Sequence, residues 1–205
     1  MVEFLEGKDG KSVKIGEVAF AAVFNTLANI CFSKDFIDLK GERVDSGLKG
    51  VIWKPLELGS TPNIADFYPI FDGLDPQGAD TTTSTIEWAM TELVKNKEVM
   101  GKLRTEPGRE IGTADSVKES HLSQLPYLHA CIKETLRLHP PVPFLLPHRA
   151  LDTCEVMNYT IPFDSQVIVN AWAIGRDPMV WKEPLSFKPE RFLDSEVDFR
   201  GQDFE

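Results

Sequence analysis

The residues best able to act together are Glu134 and Arg137, three apart within residues 125–150 (LPYLHACIKETLRLHPPVPFLLPHRA), and Arg191, which lies in Phe187-Lys188-Pro189-Glu190-Arg191-Phe192. A guanidinium fork matches a carboxylate in bidentate fashion. Glu134 held by both arginines would therefore form a buried, hydrogen-bonded clasp between a helix and a distant irregular segment. Such a clasp specifies geometry more than it adds stability. The competing reading is a solvated i,i+3 ion pair worth about 0.2–0.5 kcal/mol. The aromatics on either side of Arg191 tell against it, because a solvated loop does not need them.

The elements that must position these groups follow from periodicity. Leu128, Cys131, Ile132, Thr135 and Leu136 recur at helical spacing and predict an amphipathic helix packed by that stripe, with Pro126 in its first turn and His139-Pro140-Pro141 at its end. At about 100° per residue, Glu134 and Arg137 lie together on the side away from the stripe. Residues 15–32 are apolar on nearly every face and predict a buried helix. A membrane span is disfavoured because the apolar run is short and Asn25 and Asn29 would be unsatisfied in lipid. Residues 46–58 predict a helix that Pro55 bends or restarts, and residues 61–77, with three prolines, an irregular crossing. Ile86, Met90, Leu93 and Val94 predict a helix over 78–93, whose Asp, Thr and Ser run reads as a cap, with Ser84 and Glu87 as a capping box. Residues 95–119 read as a solvated helix end and loop without chemistry, and 142–147 as an extended apolar strip. Residues 155–161 and 166–170 read as two strands joined by a turn at 162–165, and 171–175 as one helical turn.

With 205 residues, 42% of them hydrophobic, the chain can bury one sizeable core or two small ones. A net charge of −10 with no offsetting Lys/Arg stripe argues against nucleic acid as a partner. Cys31, Cys131 and Cys154 are odd in number and far apart, which fits a reducing compartment with no disulfide framework and no metal cluster. Met1 opens directly onto charged residues, so neither a signal peptide nor an N-terminal membrane anchor is expected.

The runs K-E-T-L-R-L-H-P-P and F-K-P-E-R-F resemble the E-x-x-R and P-E-R-F elements of the haem-thiolate monooxygenases, cytochrome P450, of the plant microsomal type. The likeness is strongest to terpenoid hydroxylases of the geraniol-hydroxylase kind. G-A-D-T-T resembles the family's [AG]-G-x-[DE]-T-[ST] motif, and T-I-E-W-A-M and P-x-x-x-P-H-R are similar to family segments too. The resemblance implies a mainly α fold with a small β region and a haem cofactor. It also implies electrons from NADPH-cytochrome P450 reductase at the cytoplasmic face of the endoplasmic reticulum, and small lipophilic substrates such as monoterpenoids. Carried over residue by residue, it makes Asp80 and Thr81 a proton relay to dioxygen, where a hydroxyl beside a carboxylate can hold and pass protons without flooding the site with water. It places Ala79 at the haem face and His148 on a haem propionate. Val142, Phe144 and Leu145 would line the substrate, and Glu134, Arg137 and Arg191 would form the structural clasp.

The sequence also departs from the pattern. In the family the Asp-Thr motif lies mid-helix, whereas here Gly73, Pro76 and Gln77 closely precede it. Residues 1–77 resemble a segment that normally sits well upstream, so 1–77 and 78–205 read as two parts of one incomplete domain, without the pocket-roof helices between them. None of the three cysteines has the glycines and arginine of the family's axial loop, F-x-x-G-x-R-x-C-x-G. The expectation is a partial fold lacking the thiolate loop, the roof and the N-terminal anchor. It would be marginally stable, unable to hold haem stably, inactive by itself, and cytoplasmic or peripheral. The alternatives are an incomplete version of an active enzyme, and a non-enzymatic binding module that meets a partner through exposed core faces.

Overall fold

The computed structural model describes residues 5–8, 10, 12–32, 35, 37, 76–112, 118–193 and 195, with the backbone alone for 27, 30–32 and 76–80. The helix expected over 46–58, the crossing before Pro76 and the acidic tail after residue 195 lie outside the described residues. The chain divides into two compact units, Met1–Glu87 and Trp88–Glu205.

In the first unit, α1 spans Ile15–Phe32. Val18, Ala19, Phe20 and Ala21 are all buried, which only a helix covered on every side allows, and the Phe20 and Phe24 rings stack with centroids 5.8 Å apart. The Asn25 side chain behaves like a strand neighbour for Ile37: its Nδ2 donates to the Ile37 carbonyl at 2.6 Å and its Oδ1 accepts the Ile37 N–H at 2.9 Å. Asn29 Nδ2 donates to the Asn25 carbonyl at 3.0 Å. Among the described residues no helix is long and apolar enough to cross a membrane.

The boundary between the units falls within α2, Pro76–Lys95. Proline suits a first helical position, because its missing N–H would be unpaired there anyway. The Asp, Thr and Ser run therefore does not cap α2. Ser84 lies mid-helix, and Thr85 Oγ1 donates back to the Thr81 carbonyl at 2.8 Å, a local bond that helix interiors allow.

In the second unit, α2 gives way at Asn96 to α3, Lys97–Glu110. The Asn96 Nδ2 donates to the Glu92 carbonyl at 2.8 Å, which also accepts the Asn96 N–H at 2.9 Å. Residues 97–110 are thus a helix rather than loop, and they are not without a role. Glu106, buried, accepts the N–H groups of Tyr127 at 2.6 Å and Leu128 at 3.0 Å. These are first-turn donors of α4, Pro126–Leu138, whose N-cap Leu125 has no side-chain oxygen to offer them. Glu106→Ala is expected to cost about 2 kcal/mol, and Glu106→Gln, which keeps one good acceptor, less than half of that. Urea unfolding midpoints of the two variants check it.

The buried face of α4 is not the expected apolar stripe. Tyr127, Ala130, Cys131, Glu134, Thr135, Arg137 and Leu138 are buried, whereas Ile132 is exposed. The core joins Tyr127, Cys131 and Leu138 to Leu93 of α2, Val99 of α3 and Phe187, with Met100 and Leu103 at its edge. The helix rolls this way because its most demanding side chains are polar, and they find their partners on this side.

The β region is small. Strands β1 (His148–Arg149) and β4 (Gln166–Val167) pair antiparallel, with His148 opposite Val167. Strands β2 (Cys154–Val156) and β3 (Tyr159–Ile161) form a hairpin. Its two turn residues, Met157 and Asn158, have φ of 51° and 66°, the positive pair that a tight primed turn requires. Residues 155–161 are therefore two strands and a turn rather than one strand. The 142–147 strip is not fully extended either: Leu145, at φ 50°, donates its N–H to the Val142 carbonyl at 3.1 Å and turns the chain. The helical turn α5, Ala171–Ile174, is capped by Asn170, whose Oδ1 accepts the Ala173 N–H at 3.0 Å. A 3₁₀ turn, Pro189–Phe192, follows.

Candidate functional site

The clasp is built on α4. Glu134 is 0% exposed. Its Oε2 accepts from Arg137 Nε at 2.7 Å, and its Oε1 accepts from Arg137 Nη2 at 2.8 Å, Lys188 N–H at 2.8 Å and Arg191 Nε at 3.1 Å. An ionised carboxylate can accept this many bonds, and only an ionised one suits two guanidinium groups.

Arg137 spends every N–H it has. Nε and one Nη2 hydrogen go to Glu134, Nη1 goes to the carbonyls of Gly175 and of Pro184 (2.8 Å), and the remaining Nη2 hydrogen goes to the Ser186 carbonyl at 3.3 Å. Arg191 also reaches the carbonyls of Lys182 at 3.0 Å and of Glu183 and Ser186 at 3.3 Å. The irregular segment 175–186 has few backbone partners of its own, so the two guanidinium groups serve as its acceptors' donors. The Trp181 ring lies under both, with Arg137 Cζ 5.1 Å and Arg191 Cζ 5.8 Å from its centroid, and its Nε1 donates to the Ile174 carbonyl at 3.1 Å. Arg176 closes the other end of α4 by donating to the Leu138 carbonyl and stacks over Trp172, 4.2 Å from the ring centroid.

A second buried acid fixes α4 to α2. Glu92 Oε1 meets His139 Nε2 at 3.0 Å, and the His139 ring stacks on Trp88 with centroids 4.0 Å apart. Reading the sequence did not find Glu92, Glu106 or Glu190. The partners of Glu106 are backbone groups and those of Glu190 lie far along the chain. Glu92 has Lys95 at 3.2 Å one turn on, but its link to His139 spans 47 residues that no spacing marks.

The other expected site residues are placed as follows. Ala79 and Asp80 lie in the first turns of α2, and Thr81 follows, half-buried. They belong to the first unit, and the clasp to the second. His148 is exposed on β1, and Val142, Phe144 and Leu145 are exposed about the turn before it.

The axial haem ligand that the resemblance implies is a cysteine thiolate. Cys131 is buried in the α4 core, where desolvation, and then the charges of Glu190, Glu106 and Glu134, push its thiol up to about 12. It stays a protonated thiol packed among side chains. Cys154 is exposed on β2, opposite Ile161 of the hairpin, and the Cys31 side chain lies outside the described residues. Neither described cysteine fits the role.

A family model described as Cytochrome P450 matches residues 76–205. The probable (S)-N-methylcoclaurine 3'-hydroxylase isozyme 2 of Coptis japonica is 44% identical over 266 residues, covering 100% of this chain and 54% of that protein. Geraniol 8-hydroxylase of Swertia mussotii is 36% identical over 263 residues, covering 96% of this chain and 53% of that protein. The chain thus spans about half the length of the curated relatives it matches. The first aligned span, 266 residues, exceeds the 205 of this chain, so it includes positions for which this chain has no counterpart. A structure of a zebra fish cytochrome P450 with progesterone superposes with a TM-score of 0.74 at 21% identity, over 95% of this chain and 60% of that one.

Proposed function

The chain belongs to the cytochrome P450 family, and from that premise we propose that it carries part of the frame of a plant hydroxylase of small lipophilic molecules, without the chemistry. The buried Glu134 clasp is the observation that carries this reading. It ties α4 to the 175–191 segment through two guanidinium groups, an investment in fixed geometry rather than in stability. In the family, a haem bound through a cysteine thiolate supplies the oxygen-activating chemistry. On this reading neither described cysteine provides that ligand, and a polypeptide of these 205 residues alone is expected to hydroxylate nothing.

The roles of the remaining residues belong to a longer enzyme on the cytoplasmic face of the endoplasmic reticulum that draws electrons from NADPH-cytochrome P450 reductase. There Asp80 and Thr81 hold and pass protons, Ala79 leaves room beside them, and His148 donates to a carboxylate. Val142, Phe144 and Leu145 give the substrate an apolar wall. The two substrates named among the relatives, (S)-N-methylcoclaurine and geraniol, are the pair to compare, and identity is higher to the relative named for the first.

The test is the absorbance of the purified 205-residue polypeptide, expressed with haem precursor, then reduced and treated with carbon monoxide. The expected result is no thiolate-ligated haem band, and its appearance would overturn the reading. A second reading, an incomplete version of an active enzyme, is favoured by the aligned span being longer than the chain and by the family match beginning at residue 76. Both are consistent with pocket-roof residues absent at the Gln77–Gly78 junction. Sequencing the transcript across that junction and beyond Glu205 decides it: intervening codons with a downstream axial-cysteine loop establish this second reading, and a direct join with no such loop removes it.

A further inference from the structure

Glu190 and Arg191 are neighbours in one 3₁₀ turn, yet they are held by different partners. Arg191 meets Glu134, whereas Glu190 Oε1 accepts from Lys102 Nζ on α3 at 2.8 Å and from the Tyr127 hydroxyl on α4 at 2.9 Å. Lys102 also pairs with Glu98 at 3.0 Å. The two backbone bonds at the ends of the turn, Arg191 N–H to the Lys188 carbonyl and Leu193 N–H to the Glu190 carbonyl, are both long at 3.3 Å. Its ties to α3 and α4 are made by its side chains and by the Lys188 N–H on Glu134.

We infer that Lys102 and Tyr127 are positioning residues, which grip Glu190 and thereby set where Arg191 meets Glu134. The plainer account is a surface ion pair of little effect, since both Lys102 and Glu190 are nearly half exposed. Tyr127 argues against it. Its ring is buried in the core and its hydroxyl shares the same carboxylate oxygen, so the ion pair is anchored from below.

The electrostatics agree in sign. Burial pushes the Glu190 carboxyl up, but the bonds from Lys102, its own backbone and Tyr127 outweigh it and leave the group below its ordinary range. The Glu190 and Glu98 bonds raise Lys102, while burial and then the Glu190 bond raise Tyr127. A depressed carboxyl lends support above its ordinary value of 4.5 and loses it as pH falls through the lower folded value. Raised Lys and Tyr groups lend support below the ordinary tyrosine value of 10.0 and lose it as pH rises through their folded values. The grip therefore acts between these limits.

Hydrogen exchange of the amides at 188–193 tests this in Lys102→Met, Glu190→Leu and the double variant, with Lys102→Arg as rescue and Tyr127→Phe as an independent probe. Each single loss is expected to speed exchange there about 3–10-fold. The double variant should exchange no faster than Glu190→Leu, Lys102→Arg should recover most of the protection, and Cys131 in mid-α4 should exchange at the parent rate. The gap between parent and Lys102→Met should narrow below pH 4.5. Unchanged exchange, additive effects or uniform speeding through α4 would overturn the inference. The readout needs no haem, so it stands or falls separately from the carbon monoxide test.

Discussion

Glu134→Ala is expected to remove the cooperative unfolding transition of the second unit. The substitution leaves Arg137 and Arg191 facing each other without their shared anion, and strips the Lys188 N–H of its acceptor. Breaking a buried, hydrogen-bonded ion pair from one side costs about 3–5 kcal/mol, against a total stability of about 5–15 kcal/mol for an ordinary domain. Glu134→Gln should be almost as damaging, because its amide hydrogens point at guanidinium groups that also only donate. Replacing the pair together, Glu134→Leu with Arg137→Met, should cost less than either single loss, since the one cation left without the anion, Arg191, keeps its bonds to the carbonyls of Lys182, Glu183 and Ser186. Urea titrations followed by far-ultraviolet circular dichroism measure all of these. A loss below about 1 kcal/mol for Glu134→Ala would place the pair with ordinary surface salt bridges.

Gly175→Ala is expected to cost about 3 kcal/mol, which is large for a single methyl group. A Cβ at this position would overlap the Arg137 carbonyl oxygen and meet the Ala171 carbonyl oxygen at 3.4 Å. Both obstacles are backbone, so neither can swing aside, and α4 would have to move away from the residues after α5. Because Gly175 also accepts from Arg137 Nη1, that displacement opens the clasp. Gly175 is at φ −63°, an ordinary helical value, so the demand is for space and not for conformational freedom. Gly101→Ala is the control: nothing lies within 4 Å of its added Cβ in α3, and the change should stabilise by about 0.5–1 kcal/mol. Equal effects of the two substitutions on the thermal midpoint would refute the crowding argument.

The bounds of α1 and α4 were legible because proline, apolar runs and their ends mark them locally. The pairing of Glu134 with Arg191 across 57 residues was legible through the two motifs, and the short helix at 171–174 through its flanking turn residues. The buried face of α4 was not. Apolar periodicity counts Glu134 and Arg137 as outward, yet these are among its most buried residues, because the neighbouring segment supplies carbonyls and cations rather than hydrocarbon. The 155–161 hairpin was hidden by its turn, since Met157-Asn158 lacks the glycine that usually announces positive φ. Glu106 was hidden by lying in a charged stretch. The one available clue was its consequence, a helix opening at Leu125-Pro126 with no capping side chain of its own.

The 57 residues between Glu134 and Arg191 also bear on the order of events at the ribosome. At about 5–20 residues per second, α4 emerges about 3–11 s before the arginine that completes its anion site. Throughout that interval the nascent helix carries a carboxylate and an arginine on its core-facing side, paired only with each other. Synonymous codons that slow translation between residues 138 and 187 would lengthen this wait, and with it the nascent chain's exposure to chaperones.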